Sequence, residues 1–242
     1  MPALLLGGFA YLLSNAVSLG CLLFLANLWL PTTVDQSPWP ALPWPLAALM
    51  DVGLLVLFGL QHSVMARAGF KAQLHRIVPP HLERSIYVIV SSLGLAVLII
   101  FWQPIPAILW QAESPLPAHL LWALYAGGWL LVAASTYMIN HYELFGLAQI
   151  WRHVRGLPAP ADDFRTPGLY RYVRHPLYLG WLVVFWATPV MSAGHLLFAA
   201  GMSAYILIGM AYEERDLLRS FGAAYRDYRA RVPALIPGLK LR

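Results

Sequence analysis

The sequence predicts an all-α fold: a polytopic integral membrane helix bundle of five to six transmembrane helices. The last two form a short hairpin, followed by a cytoplasmic C-terminal amphipathic helix. Three observations predict it. Hydrophobic residues make up 60% of the 242 positions and charged residues 11%, against about 25% charged in a soluble domain. Polar surface therefore cannot cover the molecule, and lipid must be part of its solvent. Apolar stretches recur at the length that a hydrocarbon core of about 30 Å demands, roughly 20 residues as helix. All 16 lysines and arginines fall in three segments between or beyond these stretches.

The first span covers 4–30. MPALLLGGFAYLLSN has no lysine or arginine ahead of its apolar run and no clean small-residue cleavage site, so it reads as a retained span and not as a signal peptide. Cys21, the one cysteine, lies in this run. It allows neither an intrachain disulfide nor a cysteine metal cluster and reads as a small packing residue. Further spans cover 45–66, 84–103 and 119–140. The last apolar stretch, 177–211, contains no charge besides His195 and is too long for one helix. Pro189 and Ser192-Ala193-Gly194 interrupt it, dividing it into 177–190 and 195–211.

Charge parity supports six spans. Arg67, Lys71, Arg76 and Arg84 occupy the loop at 67–84. Arg152, Arg155, Arg165, Arg171 and Arg174 occupy 141–176. The tail carries Arg215, Arg219, Arg226, Arg229, Arg231, Lys240 and Arg242. The intervening loops, 31–44, 104–118 and 189–194, carry none. The positive-inside rule puts the three basic regions and both termini in the cytoplasm, which a single span over 177–211 would prevent. The net charge of +5 is explained by topology, so nucleic acid is not a partner; membrane lipid is, and no protein partner is indicated. PTTVDQSPWPALPWP and QPIPAILWQAESPLP, on the other side, are rich in helix-ending proline and interface-seeking tryptophan, and read as structural. No span centre carries Lys, Arg, Asp or Glu, and Asp51 falls near the outer end of its span, which argues against an ion-coupled transporter.

Function is to be sought where ionisable groups approach the membrane, and these cluster on the basic side. GLQHSVMAR (59–67) ends span two with Gln61, His62 and Ser63, either an interfacial helix end or a pocket lining. PPHLERSIYV (79–88) places Glu83, Arg84 and Tyr87 at the start of span three. An acid in the first helical turn suits the helix dipole, and the three side chains are expected to face the same pocket as His62. STYMINHYELFGLAQIWR (135–152) carries Tyr137, Asn140, His141 and Glu143, and its periodicity predicts a helix continuing past the membrane. No metal site is expected, since neither a His-x-x-x-His pair nor a cysteine partner is present. RYVRHPLYLGW (171–181) and AYEERDLLRSFGAAYRDYRARVPALIPG (211–238) complete the set. Glu213 and Glu214 need a cation near the membrane, and Arg174 across the hairpin is one candidate. Leu217, Leu218, Phe221, Tyr225 and Tyr228 form an amphipathic stripe.

These two stretches together resemble the membrane methyltransferases, which include isoprenylcysteine carboxyl methyltransferase and phospholipid methyltransferases. Arg174, His175, Pro176, Tyr178 and Gly180 match the first half of the motif. Glu213, Glu214, Leu217, Phe221, Gly222, Tyr225 and Tyr228 match the second. From about residue 50 onward, GLQHSVMAR, PPHLERSIYV and NHYELFGLAQ resemble the bacterial methanethiol S-methyltransferases, which are similar to NnrU-type membrane proteins.

The resemblance implies a single membrane-embedded methyltransferase domain over 1–242 in the bacterial inner membrane, with its cofactor-binding part at about 141–238. It implies S-adenosyl-L-methionine (AdoMet) as methyl donor and methanethiol as the small-molecule thiol acceptor, giving dimethyl sulfide, with hydrogen sulfide as a second acceptor. Tyr172, Arg174, His175, Pro176, Tyr178, Gly180, Glu213 and Glu214 are the implied cofactor residues, although Tyr172 and Tyr178 read equally as interface anchors. In this reading Arg174 meets the donor's carboxylate, Glu213 or Glu214 its ammonium or ribose, and Gly180 lets the nucleoside approach. Backbone N–H groups of the 174–178 turn are presented as well. A near-neutral histidine is a natural base for a thiol, so His62 and His141 are the catalytic candidates, supported by Tyr87, Glu83 and Arg84. Rival readings are a related methyltransferase of a lipid, a prenylcysteine or another thiol, and a non-enzymatic NnrU-type protein of nitrogen-oxide respiration.

Overall fold

The computed structural model describes residues 1–160 and 163–239. Lys240 and Arg242, counted above in the basic tail, lie outside them. In chain order the elements are α1 (Pro2–Leu25), α2 (Trp44–Met65), α3 (Ala68–Leu74), α4 (Pro80–Phe101), β1 (Ile108–Gln111), α5 (Pro115–Ile139), α6 (His141–Leu144) and α7 (Leu147–Arg155). A 3₁₀ turn (Gly168–Arg171), α8 (Pro176–Trp186), β2 (Val190–Ser192) and α9 (Ala193–Arg231) follow. Helices α1, α2, α4, α5 and α9 are long and apolar enough to cross a membrane, and α8 is a shorter apolar helix. The expected polytopic helical membrane protein is what the chain forms.

Proline sets the helix starts. α1, α2, α4, α5 and α8 each carry Pro at their first or second position, where its missing N–H has no intrahelical acceptor to lose and its φ is already helical. On the spans the outward side chains are large and apolar: Leu12 is 68% exposed, Leu49 69% and Leu130 71%.

Four expectations need correction. α1 stops at Leu25, before the anticipated residue 30. Asn27 there takes a left-handed φ of 55°, and its amide group holds Asp35 through Nδ2–Oδ2 (2.7 Å) and Oδ1–N (3.2 Å) contacts. Second, the helix of span four does not run on past 140. Asn140 is extended, the short α6 follows, and α7 starts anew at Gly146. A Cβ on Gly146 (φ 88°) would lie 2.8 Å from the Ser85 backbone N, so the chain turns hard against α4 at a position only glycine fills without strain. Third, the helix of the last span does not end near 211 but runs on to Gly222, whose non-helical backbone (φ 51°, ψ −118°) breaks it before a second helix that ends at Arg231. Fourth, residues 108–111 and 190–192, expected to be loop, pair as a two-stranded sheet.

The chain divides into two compact units. Unit 1 comprises Met1–Trp110, Tyr142–Pro160 and Met191–Gly201; unit 2 comprises Gln111–His141, Ala161–Val190 and Met202–Arg242. In unit 1, α4 packs against α1 and α2, and α7 packs against α1 and α4. Phe24, Trp102 and Phe198 form its aromatic centre, with ring centroids 5.4–6.1 Å apart. In unit 2, α5 and α8 make the closest helix pair. Gly128 and Gly180 let their backbones meet: a Cβ on Gly180 would lie 2.9 Å from Val132 N and 3.0 Å from Gly128 O. Phe164 fills the groove beside α9, its ring 5.3–5.7 Å from those of Phe221, Tyr225 and Tyr228.

Candidate functional site

Unit 2 carries a polar network centred on Glu214, a buried carboxylate on α9. Its Oε1 accepts from Arg174 Nε at 2.7 Å and lies 2.6 Å from Arg174 Nη2. His175 Nε2 is 3.2 Å from the same oxygen. Arg229 Nε reaches Oε2 at 3.3 Å. Two guanidiniums and an imidazole thus surround one carboxylate, which is how an ion buried at a membrane surface is made tolerable.

Local chain geometry builds this. His175 is the residue before α8 and Pro176 its first helical residue, the position proline prefers. The Arg174 amide donates to the Pro233 carbonyl (2.9 Å) and the His175 amide to that of Ala234 (3.0 Å). The Arg174 guanidinium also donates to the Arg229 and Val232 carbonyls. The segment after α9 therefore folds back and clamps the Arg-His-Pro turn. Tyr228 adds a hydroxyl donated to the Tyr170 carbonyl.

Glu213 differs from its neighbour. Its side chain is 45% exposed, and its Oε2 accepts from the Tyr178 hydroxyl at 2.6 Å. The Tyr178 ring stacks on His175 with centroids 5.3 Å apart and planes 17° apart. Burial, and next the Glu213 charge, push the Tyr170 phenol above its ordinary value, so it stays protonated.

These contacts sort the expected cofactor residues. Arg174, His175, Tyr178, Glu213 and Glu214 come together. Three assignments change. Arg174 is committed to Glu214 and to backbone carbonyls, so it holds the site's shape and is not a free partner for a ligand carboxylate. The Arg174 and His175 N–H groups are taken by the chain's own carbonyls. The close approach that Gly180 permits is to the α5 backbone, where no room is left for a nucleoside. Tyr172 is 67% exposed and stands apart from this network's contacts. Arg229 and the carbonyls of Val232, Pro233 and Ala234 were missed by sequence reasoning. Arg229 was visible only as one of many tail cations, and carbonyl roles leave no side-chain signal.

His141, also in unit 2, is buried. Its Nδ1 is 2.9 Å from Thr136 Oγ1, and its ring stacks flat on Tyr137, centroids 4.1 Å apart. The face shared by Tyr137 and His141 is real although the helix breaks between them. Burial disfavours the imidazolium and holds its pKa below the usual range.

Unit 1 holds a second cluster. His62, near the end of α2, has Nε2 2.8 Å from the Tyr87 hydroxyl, with ring centroids 5.1 Å apart. The Arg84 guanidinium lies 5.0 Å from the centre of the Tyr87 ring, within cation–π range, and its Nε donates to the Leu144 carbonyl at 2.6 Å. His62, Tyr87 and Arg84 are therefore brought together as expected. Glu83 is not. It pairs with Lys71 (3.1 Å) and His75 (2.9 Å) of the α3 region, because successive residues of a helix point about 100° apart. Among the described residues no three His, Cys, Asp or Glu side chains converge on a metal position.

The model of the family described as NnrU protein matches residues 50–233. The chain is 48% identical to methanethiol S-methyltransferase of Mycobacterium tuberculosis, over 88% of this chain and 87% of that protein. It is 46% identical to methanethiol S-methyltransferase 1 of Bradyrhizobium diazoefficiens, over 97% and 82%. It is also 33% identical to nurim of Sus scrofa, over 78% and 72%. No solved structure matches it. A family match over residues 50–233, with near-half identity to proteins of one name, makes this chain a member of the NnrU family, in its methanethiol S-methyltransferase branch.

Proposed function

We propose that this chain is an enzyme that methylates methanethiol to dimethyl sulfide with AdoMet as donor. In this reading it is seated in the bacterial inner membrane with both termini in the cytoplasm. The observation that carries the reading is the Glu214 network with Glu213 and Tyr178 on its exposed side, in a chain close to half identical to methanethiol S-methyltransferases. Five apolar helices of spanning length with the shorter apolar α8, and basic residues gathered in alternate segments between them, support the location.

The residues of unit 2 suit AdoMet. Glu213 offers an exposed carboxylate, oriented by Tyr178, for an ammonium or ribose hydroxyls. Tyr178 and Tyr172 offer ring faces. Arg229 meets Glu214 through Nε and is 49% exposed, so its terminal nitrogens suit a ligand carboxylate better than those of Arg174. When bound, the donor supplies a methyl group on a sulfonium, which passes to a thiolate with loss of both charges, a change favoured by low polarity. Arg174 and Arg229 keep Glu214 neutralised, and Glu214 in turn fixes the start of α8 and the tail.

His62 takes the proton of the thiol. Tyr87 holds the imidazole ring in one orientation, and Arg84 steadies Tyr87 while remaining tied to Leu144. Positioned proton transfer of this kind contributes about 10²–10⁴-fold. His141 is the other candidate base, and its bond to Thr136 makes it the more structural of the two.

The test is product formation. Purified protein in detergent is incubated with AdoMet and methanethiol, and headspace gas chromatography should detect dimethyl sulfide. Absence of product while a lipid, prenylcysteine or other thiol is methylated would replace the acceptor and keep the chemistry. Full activity in both His62→Ala and His141→Ala would remove the histidine base.

A further inference from the structure

Helix α7 has two unlike sides. On one, Ile150 is 1% exposed and lies against Gly7 of α1, where an added Cβ would come 2.6 Å from Ile150 Cδ1. On the other, Trp151 is 50% exposed, with Arg155 one turn further on; Val154, one turn past Ile150 toward the C-terminal end, is 47% exposed and Leu157, just past the helix, 54%. The helix, LAQIWRHVR, carries no acid and has Arg152, His153 and Arg155 in its last turn. Arg152 is neutralised by a two-pronged contact with Glu143 at 2.6 and 2.7 Å. The His153 ring is stacked on His81 at 3.5 Å. Arg155 lies with its guanidinium 4.5 Å over the Trp151 ring, which aligns a cation with an amphipathic ring on the outward side.

We propose that α7 is an interfacial anchor lying in the headgroup layer, with Trp151, Val154 and Leu157 at the acyl boundary and Arg155 on the phosphate of an anionic phospholipid. Its depth follows from its neighbours. Gly7 is five residues into α1, and Ser85, which Gly146 abuts, is five into α4. At 1.5 Å per residue, α7 therefore sits about 8 Å from the ends of two spanning helices. Their flanks there are bare and apolar, with Leu5 72% and Phe9 56% exposed. Water disfavours the exposed Trp–Val–Leu surface and hydrocarbon disfavours Arg155. Only the boundary between them accepts both. A cation beyond those already neutralised, with no acid on the helix, selects an anionic headgroup over a zwitterionic one.

The test places a nitroxide on a Val154→Cys variant of the full chain; native Cys21 is buried and resists labelling. The protein is reconstituted in phosphatidylcholine nanodiscs with or without phosphatidylglycerol. Power-saturation EPR compares collisions with oxygen and with a water-soluble nickel chelate. The expected result is high oxygen and low nickel access, shifted further toward oxygen by phosphatidylglycerol. Arg155→Lys should keep that lipid-dependent shift, and Arg155→Glu should lose it. Nickel access equal to that of a label on an aqueous loop would overturn the proposal. So would exclusion of both probes, which would signal a protein partner or second copy, or indifference of the unmodified Arg155 protein to phosphatidylglycerol. Because the readout is depth and not turnover, it stands apart from the proposed chemistry.

Discussion

Glu213→Gln and Glu214→Gln are the same chemical change one residue apart, and the two should fail in different ways. Glu214 is 12% exposed and faces an Arg174 side chain that is 9% exposed, with His175 and Arg229 on the same carboxylate. Removing one partner of a buried ion pair costs about 3–5 kcal/mol. The amide keeps one acceptor oxygen, so the lower end, about 3 kcal/mol, is expected. For a chain of this size each kcal/mol moves Tm by about 2–4 °C, which gives a drop of about 6–12 °C. Glu213, at 45% exposure, is screened by solvent, and its loss should cost less than about 1 kcal/mol of stability. Its contribution is to the donor. Losing a charge-assisted hydrogen bond worth about 1.5–3 kcal/mol weakens binding by about 10–100-fold. Thermal unfolding in detergent and calorimetric titration with AdoMet separate the two. If Glu214→Gln melts with the parent protein, or Glu213→Gln binds AdoMet unchanged, the division of labour between the two glutamates is wrong.

Further expectations concern single contacts. Tyr87→Phe should fold normally yet slow thiol methylation by about tenfold at fixed AdoMet affinity, since only the hydroxyl touching His62 is removed; unchanged kcat would detach Tyr87 from the chemistry. Gly180→Ala should cost about 1–3 kcal/mol by overpacking α8 on the α5 backbone, and a neutral outcome in thermal unfolding would contradict the close helix contact. His141 should make stability depend on pH. Its folded pKa is depressed by burial, so the unfolded chain binds the proton more readily below the ordinary value near 6.5. The contribution is complete above that value and is lost as pH falls through and below it. Melting curves from pH 7.5 to 5 should therefore show a steeper loss for the parent than for His141→Asn; equal slopes would refute the buried neutral imidazole.

Much of the site was legible because its chemistry lies in side chains of distinctive type. Arg174, His175, Tyr178, Glu213 and Glu214 announce themselves as polar groups at the edge of apolar stretches, where placement is costly unless they meet partners. His62, Arg84 and Tyr87 announce themselves likewise. What could not be read was which partner each would find. Two adjacent glutamates look equivalent in sequence, yet 100° of helix rotation buries one against Arg174 and leaves the other facing Tyr178. The same rotation sends Glu83 to Lys71 and His75 while Arg84 turns to Tyr87. The roles of Pro233 and Ala234 were invisible because they act through backbone carbonyls, which every residue possesses.

The sequence by itself determined the helical membrane class, the approximate positions of the long apolar helices and the set of ionisable residues available for chemistry. These follow from composition and local periodicity, which need no partner segment. Tertiary structure alone decided that the tail folds back to clamp the Arg-His-Pro turn, that Arg174 neutralises Glu214, that Gly180 serves helix contact, and that α7 turns away at Gly146 to lie across α1 and α4. Each of those outcomes depends on groups far apart in the chain approaching within a few ångströms, and no local pattern encodes that distance.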